Sequence, residues 1–221
     1  MGHELQEDVT QHETRLHGGF FFVLTATPPI SIVDAPCDKE GSNVKSKTKT
    51  KKPPTPKVKP KTKTKPSAMP QEGARAPAFQ LEDDAGKRVN LATLAGQAVV
   101  LYFYPKDNTS GCTRQACDFR DSHEQITAAG AIVIGVSPDS ARSHTNFKQK
   151  FELPFALLVD AEHKLAETYG VWVEKSMYGR KYMGIQRATF LIDKHGGVVR
   201  VWPKVAVNGH VSEVVKAVKS L

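Results

Sequence analysis

The residues best suited to chemistry lie in one stretch, Tyr104-Pro-Lys-Asp-Asn-Thr-Ser-Gly-Cys112-Thr-Arg-Gln-Ala-Cys117. A cysteine attacks only as its thiolate. Cys112 follows a turn-forming run and opens a segment of helical character, which puts it in a helix's first turn. There, unpaired backbone N–H groups and the positive end of the dipole favour an anion. The anion here is the sulfur's own, so the pattern predicts a nucleophile available at neutral pH. Thr109, three residues earlier, can place a hydroxyl beside that sulfur, and Arg114 could add positive charge. A free cysteine is often no more than a small buried hydrophobe, but polar, turn-rich neighbours do not describe a core position. Zinc fits poorly, because no second ligand pair follows the Cys-x4-Cys spacing. The Cys-x-x-Cys of a dithiol reductase is also missing.

The elements that must position Cys112 are readable on either side of it. Ala98 to Tyr104 is a continuous apolar, β-branched and aromatic run, as in a strand covered on both faces. Cys112 to Ala129 reads as a helix ended by Gly130, and Ala131 to Ser137 as the next buried strand. A helix over 140–151, a strand over 155–159 and a short helix over 162–169 follow. Thr189–Ile192 and Val198–Trp202 flank Asp193-Lys-His-Gly-Gly197, a hairpin signal. Residues 211–221 form an amphipathic closing helix, with Val211, Val214, Val215 and Val218 on one face. Strands alternating with helices, then a hairpin and a helix, give a three-layer α/β domain with a mixed sheet.

Charge divides the chain. Of its 221 residues, 31 are Lys or Arg and 23 Asp or Glu, a net of +8. Residues 1–70 hold 12 basic and 7 acidic side chains, and Lys45 to Lys65 contains ten lysines and no acid. The expected organisation is a disordered extension over 1–70, with a Lys/Pro/Thr-rich run at 45–66, and a near-neutral folded domain over 71–221. The run has too few apolar residues to offset the entropy of ordering. It reads either as a nucleic-acid tether acting through phosphate neutralisation or as a solubilising tail, with Met69 an alternative start. No stretch approaches the roughly 20 apolar residues of a membrane span, so no membrane partner is expected. Three cysteines are not a disulfide framework, and the early acids do not suit a secretory signal. The expected location is the cytoplasm, with nucleoid or nucleus as the alternative that the basic run allows.

Pro105-x3-Thr109-x2-Cys112 resembles the active-site signature of the peroxiredoxins. Phe103-Tyr-Pro-Lys-Asp-Asn-Thr109, Gly111-Cys-Thr113 and Ala116-Cys-x-Phe-Arg-Asp121 are similar to the Q-type, or bacterioferritin-comigratory-protein, subgroup. So are Tyr169-Gly-Val-Trp172, Glu174-Lys175, Tyr178-Gly179, Tyr182 with Gly184-Ile185, and Arg187-Ala-Thr-Phe-Leu-Ile-Asp193. The likeness spans about residues 72–221. Ser110 departs from it, standing where the subgroup usually has Pro.

The resemblance implies a thioredoxin-like fold, with a mixed central sheet flanked by helices, and a thiol peroxidase for hydrogen peroxide and organic hydroperoxides. It makes Cys112 the peroxidatic cysteine, with Thr109 bonding the sulfur and the peroxide, Pro105 shielding the site and Arg187 supplying a cation. It makes Cys117 the resolving thiol and thioredoxin the reductant. If 112–117 is helical, the two Cα atoms stand about 8.7 Å apart. A disulfide needs less than about 7 Å, so the helix's first turn must unwind before the sulfurs join. Cys37 is expected to be incidental. With no GxGxxG or phosphate loop, direct use of a nicotinamide is unsupported, and no metal or organic cofactor is expected. The expected assembly is a monomer or weak dimer. The scattered His123, His144, His163, His195 and His210 lack metal spacing, and Trp172 and Trp202 read as packing residues.

Overall fold

The computed structural model describes residues 68–177 and 179–221. The lysine run, Cys37 and Tyr178 lie outside the described residues, as does nearly all of the expected extension. The described part begins with a short antiparallel pair, β1 (Gln80–Glu82) and β2 (Arg88–Asn90), followed by a single 3-10 turn at Leu91–Leu94. Next come β3 (Ala98–Phe103), α1 (Ser110–Asp121), α2 (His123–Ala128) and β4 (Ala131–Ser137). Then α3 (Ala141–Phe151), β5 (Ala156–Val159) and α4 (Lys164–Thr168) complete the alternating half. The hairpin β6 (Trp172–Met177) and β7 (Arg180–Ile185) leads into β8 (Ala188–Ile192), β9 (Val198–Trp202) and α5 (His210–Val218).

The central sheet runs β5-β4-β3-β8-β9, with β3, β4 and β5 mutually parallel and β8 and β9 antiparallel additions. This is the mixed sheet expected. Its middle strand explains the layers. All six residues of β3 are buried, and alternation sends them to two cores. Val100 and Tyr102, continued by Tyr104, pack with Phe119, Ile126, Phe147 and the valines of α5. Val99, Leu101 and Phe103 pack with Leu165, Tyr169, Ile185 and Phe190 on the opposite face.

Several boundaries differ from the sequence expectation. The helix expected over 112–129 starts at Ser110, because Thr109 is the extended residue before the first turn. It is also interrupted at Ser122, whose φ of −97° and ψ of 2° lie in the bridge region. The helix expected from Glu162 starts at Lys164, after His163, which has a φ of 58°. The closing helix runs from His210 to Val218 rather than to the last residue. Neither the β1–β2 pair nor the β6–β7 hairpin was anticipated. Every side chain from Arg180 to Met183 is exposed, so most of β7 lacks the buried face that imposes period-two alternation.

Candidate active site

Strand β3 ends at Phe103 and the chain turns through residues 104–109 into α1. Asn108 makes the bend with φ of 55°, a left-handed conformation that Asn tolerates better than most residues. Thr109 returns to extended backbone, and its carbonyl accepts from Thr113 N at 2.8 Å. Cys112 is therefore the third residue of α1, with no acidic side chain in the first turn to compete for the dipole. Its residue is only 2% exposed, and the thiol is free.

The cation arrives from the other half of the chain. Antiparallel pairing sets Phe103 opposite Ala188, which brings Arg187 to the edge where the 104–109 loop begins. Nη2 of Arg187 donates to Cys112 Sγ at 3.1 Å, and Nη1 donates to Gln115 Oε1 at 2.6 Å. The fork geometry of the guanidinium makes both bonds possible at once. A Cβ built on Gly111 would stand 3.5 Å from Nη2, so the guanidinium lies along the first turn of α1. The Arg187 carbonyl accepts from Val205 N, which ties this end of β8 to the segment preceding α5. Lys175 of β6 is a second cation in the neighbourhood, donating to the Ile185 carbonyl. Burial lowers its pKa, Arg187's charge lowers it further, and Cys112 acts in the opposite sense.

Of the residues singled out from sequence, Pro105, Thr109, Cys112 and Arg187 come together at this corner. Pro105 is half-buried and Thr109 exposed. The Thr109 hydroxyl donates to Lys106 O at 3.1 Å, which leaves its lone pairs to face outward as acceptors. The tight turn brings Lys106 O within reach of this hydroxyl. Arg114 is exposed and acts electrostatically on Asp118, so it does not supply the site's charge. Cys117 is buried in the same helix.

Gln115 was missed from sequence, although its position three residues after Cys112 places both on one helix face. Fully buried, it holds the guanidinium by the arm that does not reach the sulfur. Asp107 was also missed. It is buried beneath the loop, and the signal that could have found it is an acid embedded between Pro105 and Thr109.

The whole arrangement suits attack by a sulfur anion on a bond whose leaving atom gains negative charge, with the donors already in place. Comparison with known proteins agrees. The AhpC/TSA family model matches residues 73–201. Peroxiredoxin Bcp of Bacillus subtilis is 53% identical over 149 residues, covering 67% of this chain and 95% of that protein.

This chain is a peroxiredoxin of the AhpC/TSA family.

Peroxiredoxin Bcp of Escherichia coli is 44% identical over 138 residues, covering 62% of this peroxiredoxin and 88% of the relative. Among solved structures, Xanthomonas campestris peroxiredoxin Q superposes with a TM-score of 0.62 at 42% identity, covering 64% of this peroxiredoxin and 90% of that chain. A Xylella fastidiosa PrxQ mutant gives a TM-score of 0.63 at 33% identity, over 68% and 98%. These matches place the peroxiredoxin in the Q or bacterioferritin-comigratory-protein group, with its thioredoxin-like fold. Its activity is that of a thiol peroxidase.

Proposed function

We propose that Cys112 is the attacking sulfur in the reduction of hydrogen peroxide and organic hydroperoxides, and that the observation carrying this reading is Arg187 Nη2 on Cys112 Sγ at 3.1 Å. The thiolate attacks the terminal peroxide oxygen in line with the O–O bond. An S–O bond forms, the O–O bond breaks, and the departing alkoxide or hydroxide takes a proton and leaves as alcohol or water. Arg187 faces both the anionic sulfur and the oxygens on which charge develops. Thr109, its hydrogen committed to Lys106 O, offers a lone pair to the peroxide's own O–H, and Pro105 covers the site's flank. A Xanthomonas campestris bacterioferritin comigratory protein, 41% identical, is described by its alkyl peroxide reduction activity, which supports organic hydroperoxides as a substrate class here.

The product at Cys112 is a sulfenic acid, which condenses with a thiol to give a disulfide and water. Cys117 in its reduced form is the proposed thiol. Both cysteines lie within α1, and five helical steps hold their Cα atoms about 8.7 Å apart. Disulfide formation therefore requires the first turn of α1 to open. A dithiol of the thioredoxin type then restores both cysteines by exchange.

A peroxide assay coupled to thioredoxin and its reductase tests the reading, with Cys112→Ser and Cys117→Ser variants of the full chain beside the unchanged protein. The expected result is no peroxide consumption without Cys112, and a single turnover without recycling when Cys117 is replaced. Undiminished turnover by Cys112→Ser overturns the proposal.

A further inference from the structure

A buried polar cluster lies directly behind the loop that carries Pro105 and Thr109. Asp107 is 5% exposed and His144, on α3, is 0% exposed. Nδ1 of His144 stands 2.8 Å from Asp107 Oδ2, and Nε2 stands 3.2 Å from the carbonyl oxygen of Leu158 on β5. The same carboxylate accepts from Ser143 Oγ at 2.7 Å and from the Tyr104 hydroxyl at 2.8 Å. Asp107 N in turn donates to Asp139 Oδ2 at 2.7 Å, and that oxygen also accepts from Ser137 Oγ.

A peptide carbonyl only accepts, so Nε2 donates to Leu158 O. One hydrogen then lies between Nδ1 and Asp107 Oδ2 across 2.8 Å. Burial pushes the Asp107 carboxyl up, but the hydrogen bond and charge of His144, with bonds from Ser143 and Tyr104, prevail, and its pKa lies below the ordinary 3.8. The groups facing the imidazole are Asp107 from the loop, Tyr104 from the end of β3 with its hydroxyl 3.5 Å from Nδ1, and the Leu158 carbonyl from β5. No lysine or arginine is bonded to Asp107 among the described residues.

We propose that His144 is a positioning residue for the peroxidase reaction, one that clamps Asp107 and so fixes the loop presenting Pro105 and Thr109 to the substrate at Cys112. The clamp ties this loop to β3, β5 and α3 at once. It lies two residues from both Pro105 and Thr109, so a displacement of Asp107 is passed to each of them. Loss of the clamp leaves the sulfur and Arg187 in place but lets the substrate-facing loop drift. The inference rests on Cys112 being the attacking sulfur, as proposed above.

Two measurements on the full chain test it. Long-range proton–nitrogen NMR of histidine-labelled protein reads the ring directly and does not depend on peroxide chemistry. The expected signature is a hydrogen on Nε2 of His144 and an Nδ1 shift characteristic of a short hydrogen bond, with the Nδ1 shift moved in Asp107→Asn. A bare Nε2, or an unchanged ring in Asp107→Asn, overturns the clamp. Stopped-flow oxidation of Cys112 by hydrogen peroxide then compares His144→Leu with His144→Asn, whose amide N–H can stand where Nδ1–H stood. His144→Leu should slow oxidation by roughly 10- to 100-fold, as misplacement of a positioned group does, and His144→Asn should recover most of that loss. Full rate in His144→Leu, or equal losses in the two variants in step with their melting temperatures, overturns the positioning role. If His144→Leu does not fold, His144→Asn and Asp107→Asn carry the test, and an unslowed rate in Asp107→Asn is the overturning result. Failure of the unchanged protein to consume peroxide would instead remove the functional reading and leave the NMR result standing.

Discussion

Gln115 Oε1 holds Arg187 Nη1 at 2.6 Å, one helical turn beyond Cys112 and on the same face of α1. The helix that carries Cys112 thus also carries the side chain that aims the cation at its sulfur. Because Gln115 is neutral, it orients the guanidinium without cancelling its charge. Arg187→Lys keeps the charge but loses the two-armed fork, and should lower the rate of Cys112 oxidation by about 100-fold, the range for removing a preorganised donor. Gln115→Ala removes one hydrogen bond to a charged group, worth about 1.5 kcal/mol or more, and should cost roughly 10-fold. Stopped-flow kinetics with hydrogen peroxide check both, and equal rates in Arg187→Lys and the unchanged protein would discard the fork as a requirement.

The resolving step makes a structural demand. If the Cys112 sulfenic acid condenses with Cys117, the first turn of α1 cannot survive in the oxidised form. Hydrogen exchange should show residues 112–118 losing protection on oxidation of the reduced protein by one equivalent of peroxide. Unaltered protection there, with a Cys112–Cys117 bond demonstrated by peptide mapping, would mean that the helix accommodates the bond without opening.

Phe119 is fully buried against Tyr102, Phe155 and His210, joining α1 to the central sheet and to α5. Phe119→Ala should reduce stability by about 3–5 kcal/mol, the usual cost of emptying such a site. Urea unfolding measures it. A loss below about 1 kcal/mol would show that neighbouring side chains collapse into the space.

His210, bonded through Nε2 to Thr189 Oγ1 at 2.9 Å, has its pKa pushed down to about 4. Burial is the main cause; Glu213 pulls upward and Arg187 pushes further down. Between the ordinary value of 6.5 and about 4 the unfolded chain binds a proton that the folded chain refuses, so stability falls as pH drops through that window. The contribution reaches about 3 kcal/mol near pH 4. A His210→Gln protein should lose about 2 kcal/mol less than the unchanged protein between pH 7 and pH 4.5. Parallel losses in the two proteins would assign the acid sensitivity elsewhere.

Much of this was legible from local pattern. The unbroken apolar run of β3 announced a strand buried on both faces, and the turn before Cys112 announced a helix N-terminus. The spacing Pro105-x3-Thr109-x2-Cys112 carried the family. What stayed hidden depends on long-range placement. Gln115 and Asp107 are ordinary polar residues until the fold brings Arg187 beside the first and His144 beside the second. His144 looked like one of several scattered histidines, because nothing in its neighbourhood of sequence reveals that α3 delivers it beneath a loop 37 positions earlier. The bond from Thr109 to the Lys106 carbonyl was likewise hidden, since it is made by loop geometry.

The sheet order sets β8 directly beside β3, so the sulfur and its cation come from positions 75 residues apart. During synthesis Cys112 emerges long before Arg187 exists. No nascent chain that stops short of Arg187 can assemble the pair, and none can hold it firmly until β8 has docked against β3. The bond from Arg187 to the sulfur is thereby timed: it is withheld from the growing chain and made only once β8 is in place.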